Sequence, residues 1–96
     1  MLSQNPLKCR RINVQPQDIE FLRLALISEL DAINLYEQMA NVVQNPSVKK
    51  VLLHIAKEEK THVGELQTLL LTLDSEQNEE MVEGRKEVVK EIGETV

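Results

Sequence analysis

Glu59 and His62 are three positions apart in a segment that otherwise carries apolar residues at helical spacing. Residues three, four and seven positions apart share one face of an α-helix. The other residues on this face are Leu52, Ile55, Ala56, Val63, Leu66 and Leu70. A carboxylate and an imidazole about 4.5 Å apart along the helix axis are suited to bind one metal ion. The same Glu-x-x-His spacing supplies ligands to pairs of metal ions in helical carboxylate bundles.

Glu29 occupies the same kind of position in an earlier segment. The residues three, four and seven positions away are Leu22, Ala25, Leu26, Ala32, Ile33 and Tyr36. Glutamate is almost never fully buried unless it is paired, so a glutamate at the centre of this apolar stripe predicts a partner. In carboxylate bundles, a glutamate on a facing helix completes the Glu-x-x-His set.

The break between the two segments predicts that the three side chains meet. Residues 44–47 read Gln-Asn-Pro-Ser, a stop-and-restart signal in which the asparagine caps a helix and the proline suits its first turn. Glu29 lies 16 residues before Asn45, and Glu59 and His62 lie 14 and 17 residues after it. An antiparallel hairpin places them at one height. These mixed oxygen and nitrogen donors favour iron, with manganese or zinc as possible substitutes.

The elements that must position these residues are helices. Aromatic residues make up only 2% of the chain, Leu, Ile, Ala, Glu, Gln and Lys dominate its interior, and no alternating β segment is present. Unbroken helices are predicted over about 17–43 and 47–73, and a short polar helix over about 76–92. We therefore predict an all-α fold with three parts: an irregular lead (1–15), an antiparallel helical hairpin (16–74) and a short C-terminal helix or tail (75–96).

Both long helices are apolar over more surface than one hairpin seam can bury, and small cores need additional cover. One chain also offers only two carboxylates and one imidazole, half of a full di-iron set. Two chains related by a twofold axis supply four carboxylates and two imidazoles, which match two divalent cations. The sequence therefore predicts a homodimer that forms a four-helix bundle with iron between its chains.

Composition excludes several classes of function. The net charge of −5 argues against nucleic-acid binding and is compatible with attracting cations. The single cysteine, Cys9, excludes an internal disulfide framework and fits a reducing compartment. No apolar run approaches the ~18 residues of a spanning helix, and residues 1–13 lack the apolar core of a secretory signal. We expect a soluble cytoplasmic protein with no membrane or nucleic-acid partner.

Two further residues lie near the predicted ligands. Asp31 is two positions from Glu29 and points elsewhere, so it is a candidate for a secondary site through which metal enters. Tyr36 lies one heptad from Glu29, where it either hydrogen-bonds a ligand carboxylate or packs in the core.

Two other readings of the chain stay open. Glu59 and His62 would also serve as a polar register device in a non-catalytic helical assembly or adaptor. A rubrerythrin-like peroxide scavenger is a second alternative, but it would normally bring a rubredoxin domain with cysteine pairs, and the single cysteine argues against it.

The segments Glu29-Leu-Asp-Ala-Ile-Asn-Leu-Tyr36 and Glu58-Glu-Lys-Thr-His62-Val resemble the two iron-binding signatures of the encapsulated ferritins, E-x-x-A-x-x-x-Y and E-E-K-x-H. The resemblance spans residues 19–73 and is strongest to ferritin-like domains that are fused to an encapsulin shell protein. It is specific because general ferritins and rubrerythrins carry both halves of the bundle in one chain, whereas this chain carries a single half.

The resemblance implies a ferroxidase that oxidises Fe(II) to Fe(III) at a ferritin-like two-chain interface. Its iron ligands would be Glu29, Glu59 and His62 of each chain, with Asp31 near the point where iron enters. It further implies a ring-like decamer, a pentamer of dimers, that supports iron storage inside a cytoplasmic encapsulin nanocompartment.

Overall fold

The computed structural model describes residues 14–94, which form three α-helices. They are α1 (Pro16–Val42), α2 (Pro46–Leu73) and α3 (Ser75–Ile92). The all-α prediction is confirmed for this part of the chain, and the predicted helix ends agree to within one residue. The predicted irregular lead falls almost wholly outside the described residues, as does Cys9. No described helix is long and apolar enough to cross a lipid bilayer.

The turn between α1 and α2 is fixed by a side-chain cap. The Asn45 Oδ1 atom accepts hydrogen bonds from the backbone N–H groups of Ser47 at 2.8 Å and Val48 at 3.1 Å. These donors have no partner inside the helix, so the cap satisfies groups that would otherwise depend on water. Pro46 occupies the first turn, where its missing N–H is not needed. The chain therefore reverses in three residues and returns as an antiparallel hairpin.

Asn45→Ala is expected to lower the free energy of unfolding of the metal-free protein by about 1 kcal/mol, because two N–H groups lose their acceptor. Urea unfolding followed by far-ultraviolet circular dichroism measures this change. Asn41→Ala is the matched control, since Asn41 is an exposed residue within α1 and alanine favours helix at such a position. Equal stability of the two variants would contradict the capping role.

The seam between α1 and α2 is narrow. Its buried residues are Ala40, Ala56 and Leu70, and two of these are alanines that let the helices approach closely. The remaining inward-facing residues of both helices are only partly buried. A core of this size leaves much of the apolar surface of the chain exposed to water, as the sequence predicted.

Asp74 joins α3 to the hairpin with both of its carboxylate oxygens. Oδ1 accepts a hydrogen bond from the Gln77 backbone N–H at 3.0 Å and caps α3. Oδ2 accepts one from the Arg23 guanidinium of α1 at 2.7 Å. Asp74 therefore sets the direction in which α3 leaves the hairpin. Gly93 ends α3 with a φ of 72°, a left-handed conformation that glycine adopts without strain.

One side of the hairpin, here called the open face, is formed by two columns of mostly apolar side chains at heptad spacing. The α1 column is Phe21, Ser28, Leu35 and Val42, and the α2 column is Val48, Ile55, His62 and Leu69. The columns border each other, because Phe21 of α1 and Leu69 of α2 line one groove. These two side chains are 57% and 45% exposed, respectively. His62 therefore lies in the middle of an apolar surface that the chain itself does not cover.

Candidate metal centre

Glu29 of α1 meets Glu59 and His62 of α2 in the middle of the hairpin. Each residue offers one ligand atom, and the three atoms lie within 4.8 Å of one another. The structure thus brings together the three residues that the sequence selected, because the capped turn sets the antiparallel register. No other Asp, Glu, His or Cys between residues 14 and 94 joins them.

His62 presents its Nδ1 atom to both carboxylates. Nδ1 lies 2.7 Å from Glu29 Oε2, a distance at which Nδ1–H donates a short hydrogen bond, and 3.7 Å from Glu59 Oε1. The carboxylate side chains are 22% and 16% exposed, whereas that of His62 is 47% exposed. Nδ1 is therefore the ring nitrogen placed to share a metal ion with the two glutamates.

Contacts within the metal-free site raise the pKa values of Glu59 and His62. The hydrogen bond to Glu29 raises the pKa of Glu59, and partial burial and the Glu29 charge raise it further, against the opposing effect of His62. The hydrogen bond to Glu29 also raises the pKa of His62, and the charges of Glu29, Glu59 and Glu65 add to this against partial burial. In the absence of a metal ion, both shifts therefore favour the protonated forms of the two side chains.

The donor set fits ferrous iron. Two carboxylates and one imidazole combine hard oxygen and intermediate nitrogen ligands, the mixture that iron accepts. The three candidate ligand atoms lie close together, and His62, the most exposed of the three side chains, lies on the open face. A second chain on that face would place a second set of ligands opposite the first, as in four-helix di-iron bundles.

The two accessory candidates lie outside this cluster. Asp31 is exposed on α1 and is not among the three grouped ligands. Tyr36 is partly buried in the seam, and no hydrogen bond joins it to a carboxylate within residues 14–94. Their roles in metal entry and in supporting a ligand stay predictions.

The sequence did not reveal the ion pair between Lys60 of α2 and Glu37 of α1, with a Nζ–Oε2 distance of 2.9 Å. It crosses the hairpin on the side opposite the open face, next in sequence to Glu59. Glu37 follows Leu30 and Arg23 at heptad spacing, and Arg23 is also paired across the molecule. The heptad spacing of Arg23 and Glu37 places both on one side of α1, and this was the signal in the sequence that could have predicted the ion pair. Both partners are exposed, so the pair contributes little stability.

Comparison with known proteins identifies one family, and the relatives that match the chain agree with it. The family model described as Rubrerythrin matches residues 20–95. The chain is 52% identical over 90 residues to a ferritin-like–encapsulin shell fusion protein of Pyrococcus furiosus. This match covers 92% of this chain and 26% of the fusion protein. The chain is also 45% identical over 62 residues to the encapsulin nanocompartment cargo protein EncB of Myxococcus xanthus. This match covers 65% of this chain and 39% of EncB.

A solved structure agrees with these relatives. The crystal structure of the encapsulated ferritin domain from Pyrococcus furiosus matches with a TM-score of 0.81 and 48% identity, over the full length of both chains. The chain spans only about a quarter of the curated fusion protein and two fifths of EncB. The resemblance found in the two iron-binding signatures is confirmed. The chain belongs to the rubrerythrin family of ferritin-like domains and, within it, to the encapsulated ferritins.

Proposed function

We propose that this protein is a ferroxidase that binds two Fe(II) ions between two copies of the chain and releases them as Fe(III). The observation that carries the proposal is the convergence of Glu29, Glu59 and His62 within 4.8 Å, with His62 in the middle of an uncovered apolar surface. The cluster is half of a di-iron ligand set, and the surface around it is what a second half would cover.

Charge explains why the two chains need the metal. A twofold pair brings four carboxylates together, and their repulsion in an apolar seam would oppose association. Two divalent cations neutralise those four charges. We therefore expect Fe(II) to strengthen dimerisation, since every bound ion bridges ligands from both chains.

In this proposal iron is the substrate. Glu29 and Glu59 bind the ions through carboxylate oxygens, and His62 binds through Nδ1 after its proton passes to solvent. Each Fe(II) ion gives up one electron, and dioxygen or peroxide accepts the two electrons of the pair. A closed four-helix bundle has no interior volume for a mineral, so Fe(III) must leave and be stored elsewhere.

The proposed place of storage is an encapsulin nanocompartment in the cytoplasm. One relative is a fusion with an encapsulin shell, and two are encapsulin nanocompartment cargo proteins of Myxococcus xanthus. By similarity to them, we propose that the chain works inside such a shell, as a decamer built from five of the dimers described above.

The test is to add Fe(II) in air to the purified protein and to follow near-ultraviolet Fe(III) absorbance together with the mass in solution. Rapid oxidation with metal-dependent dimerisation supports the ferroxidase. The alternative is a non-catalytic assembly or adaptor, which the 2.7 Å contact between His62 and Glu29 also suits as a register device. Such a module would show a mass independent of metal and an oxidation rate no faster than that of iron in buffer.

The stability that Glu59 and His62 give to the metal-free protein is expected to fall as the pH rises above the ordinary pKa values of these groups, 4.5 and 6.5. Both pKa values are raised, so the folded chain holds these protons more tightly than the unfolded chain does. Their contribution is therefore present at low pH. It is lost as the pH rises through the raised pKa values of the two groups.

The measurement is the melting temperature of the wild type minus that of Glu59→Gln/His62→Gln, which lacks both titrating groups. Without metal this difference should decrease with rising pH. With a redox-inactive ion such as Zn²⁺ it should increase, because the ligands must lose protons to bind the ion. The same trend with and without metal would contradict the assignment.

A further inference from the structure

Two ion pairs join α1 to the second half of the hairpin, on the side opposite the open face. Glu37 of α1 pairs with Lys60 of α2, with a Nζ–Oε2 distance of 2.9 Å. Arg23 of α1 pairs with Asp74, the residue that directly follows α2, with a distance of 2.7 Å between Nη2 and Oδ2. We call these two contacts the register pairs.

The register pairs have the same spacing on both sides of the seam. Glu37 lies 14 residues after Arg23, and Lys60 lies 14 residues before Asp74. Fourteen residues are two heptads, so Arg23 and Glu37 share one face of α1. In an antiparallel hairpin, equal spacing means that both pairs form in one and the same register. A shift of one helix along the other by a single residue, about 1.5 Å, would therefore disturb both pairs together.

The packing of the seam fixes this register only weakly. Its buried residues are Ala40, Ala56 and Leu70, and an alanine has no long side chain that could interlock with the facing helix. The Asn45 cap holds the two helices at the turn, but Glu29 lies 16 residues before Asn45, about 24 Å along the helix axis. Over that length, a small opening of the hairpin would separate Glu29 from its partners on α2.

The metal site opposes close approach of the helices when no ion is bound. Glu29 and Glu59 belong to one cluster whose ligand atoms lie within 4.8 Å of one another, and two charged carboxylates at such a distance repel. The register pairs act against this repulsion from the other edge of the seam. Arg23 lies six residues before Glu29 and Glu37 lies eight residues after it, so the pairs flank the cluster on both sides along α1.

Lys60 also restrains the rotation of α2 about its axis. Glu59 and Lys60 are consecutive, and consecutive residues project about 100° apart around a helix. Glu59 faces Glu29 within the cluster, whereas Lys60 contacts Glu37 at the other edge of the seam. A rotation of α2 in either direction would therefore lengthen one of these two contacts. The pairing of Lys60 with Glu37 keeps Glu59 turned toward Glu29.

We propose that the register pairs preorganise the metal site, with Lys60 and Glu37 as the principal positioning residues. The inference rests on the metal site proposed above and assigns the side chains that hold its two halves in register before an ion arrives. An exposed ion pair adds little to overall stability, but here it has only to select one arrangement among several of similar energy. A site that is already assembled binds its ion more tightly, because binding no longer has to order the ligands.

Co(II) binding to the full chain tests this inference without any oxidation of iron. Calorimetry gives the affinity, and the visible absorption of the bound Co(II) reports its coordination geometry. Lys60→Met removes one register pair and keeps a long side chain that suits a helix. It should weaken Co(II) binding about three- to fivefold, as expected for an exposed ion pair, and alter the absorption bands. Adding Arg23→Met, which removes the second pair, should bring the loss to about tenfold or more.

Attraction by net charge alone predicts a change of the opposite sign. Removing a positive charge near a cation site would tighten binding, whereas losing a register pair weakens it. Lys57→Met is the matched control, because Lys57 is exposed on α2, only three residues from Lys60, and makes no ion pair within residues 14–94. This variant loses the same charge and should bind Co(II) at least as tightly as the wild type, with unchanged absorption.

Reversing the pair provides a rescue. Lys60→Glu alone places a second carboxylate against Glu37 and should weaken Co(II) binding more than Lys60→Met does. Adding Glu37→Lys rebuilds the pair with its charges exchanged and should restore the wild-type affinity and absorption. Equal Co(II) binding by Lys60→Met and Lys57→Met, or a charge exchange that restores nothing, would overturn the role of the register pairs alone. Wild-type protein that binds no Co(II) would instead overturn the metal site itself.

Discussion

Glu59→Ala should abolish coupled Fe(II) oxidation, with a fall in initial rate of at least about 100-fold. Even the residues that support metal ligands affect affinity or activity by ~10–100-fold when mutated, and a direct ligand should do so more strongly. The symmetry of the proposed dimer doubles the effect of the change, because each substituted chain removes one of the four carboxylates. The two ions would then keep half of their carboxylate charge, and binding of the second ion would be lost first.

The residue next to Glu59 in the sequence provides a closely matched control for this variant. Glu58 is the adjacent residue and carries the same charge, but its side chain is 57% exposed and is paired with His54. Glu58→Ala therefore removes the same formal charge from the same turn of α2 without touching the cluster. It should oxidise Fe(II) at nearly the wild-type rate. Stopped-flow absorbance under limiting Fe(II) measures both variants, and a similar loss in both would show that general acidity, not coordination, attracts the iron.

His62→Ala and Glu29→Ala extend the argument. Glu29 binds His62 at 2.7 Å and is the principal reason that the pKa values of both Glu59 and His62 are raised. Its removal should lower both of these pKa values in the metal-free protein as well as weaken iron binding. A titration of the His62 ring by nuclear magnetic resonance therefore reports on Glu29 without any metal. An unchanged pKa of His62 in Glu29→Ala would contradict the described contact.

The sequence was sufficient to predict the hairpin and the meeting of Glu29, Glu59 and His62. Both follow from local rules. These are a cap and a proline at residues 45 and 46, apolar spacing on either side, and similar distances in sequence from the turn to Glu29 and to Glu59 and His62. Helix geometry converts those distances directly into height. Little tertiary information was needed, because two long helices joined by a short turn have few alternative arrangements.

The sequence could not predict contacts that depend on the rotation of a helix about its axis or on side-chain rotamers. Asp74 caps α3 with one carboxylate oxygen, and its second oxygen accepts a hydrogen bond from Arg23, 51 residues earlier in the chain. Equally, the spacing of Glu59 and His62 did not say that Nδ1 would be the ring nitrogen turned toward the carboxylates. These contacts are decided by the side-chain torsions of both helices together. The spacing of apolar residues in the sequence carries no information about those torsions.

Leu69→Asp should dissociate the proposed dimer and thereby disable oxidation while every ligand is intact. Leu69 lies one heptad from His62 on the open face, and its side chain is 45% exposed in the single chain. The hairpin should therefore tolerate the change. In the dimer, an unpaired carboxylate would be buried in the interface, at a cost of several kcal/mol. This corresponds to a weakening of association by at least about 100-fold.

Protein concentration distinguishes this defect from loss of a ligand. The oxidation rate per chain of Leu69→Asp should rise as the protein is concentrated, because association regenerates complete sites. That of Glu59→Ala should stay low at every concentration. Thr61→Asp is the control, since it adds the same charge at an exposed position of α2 outside the open face and should keep both the wild-type mass and rate. If Leu69→Asp is monomeric and still oxidises Fe(II) at the wild-type rate, the three ligands of one chain suffice, and the shared site is wrong.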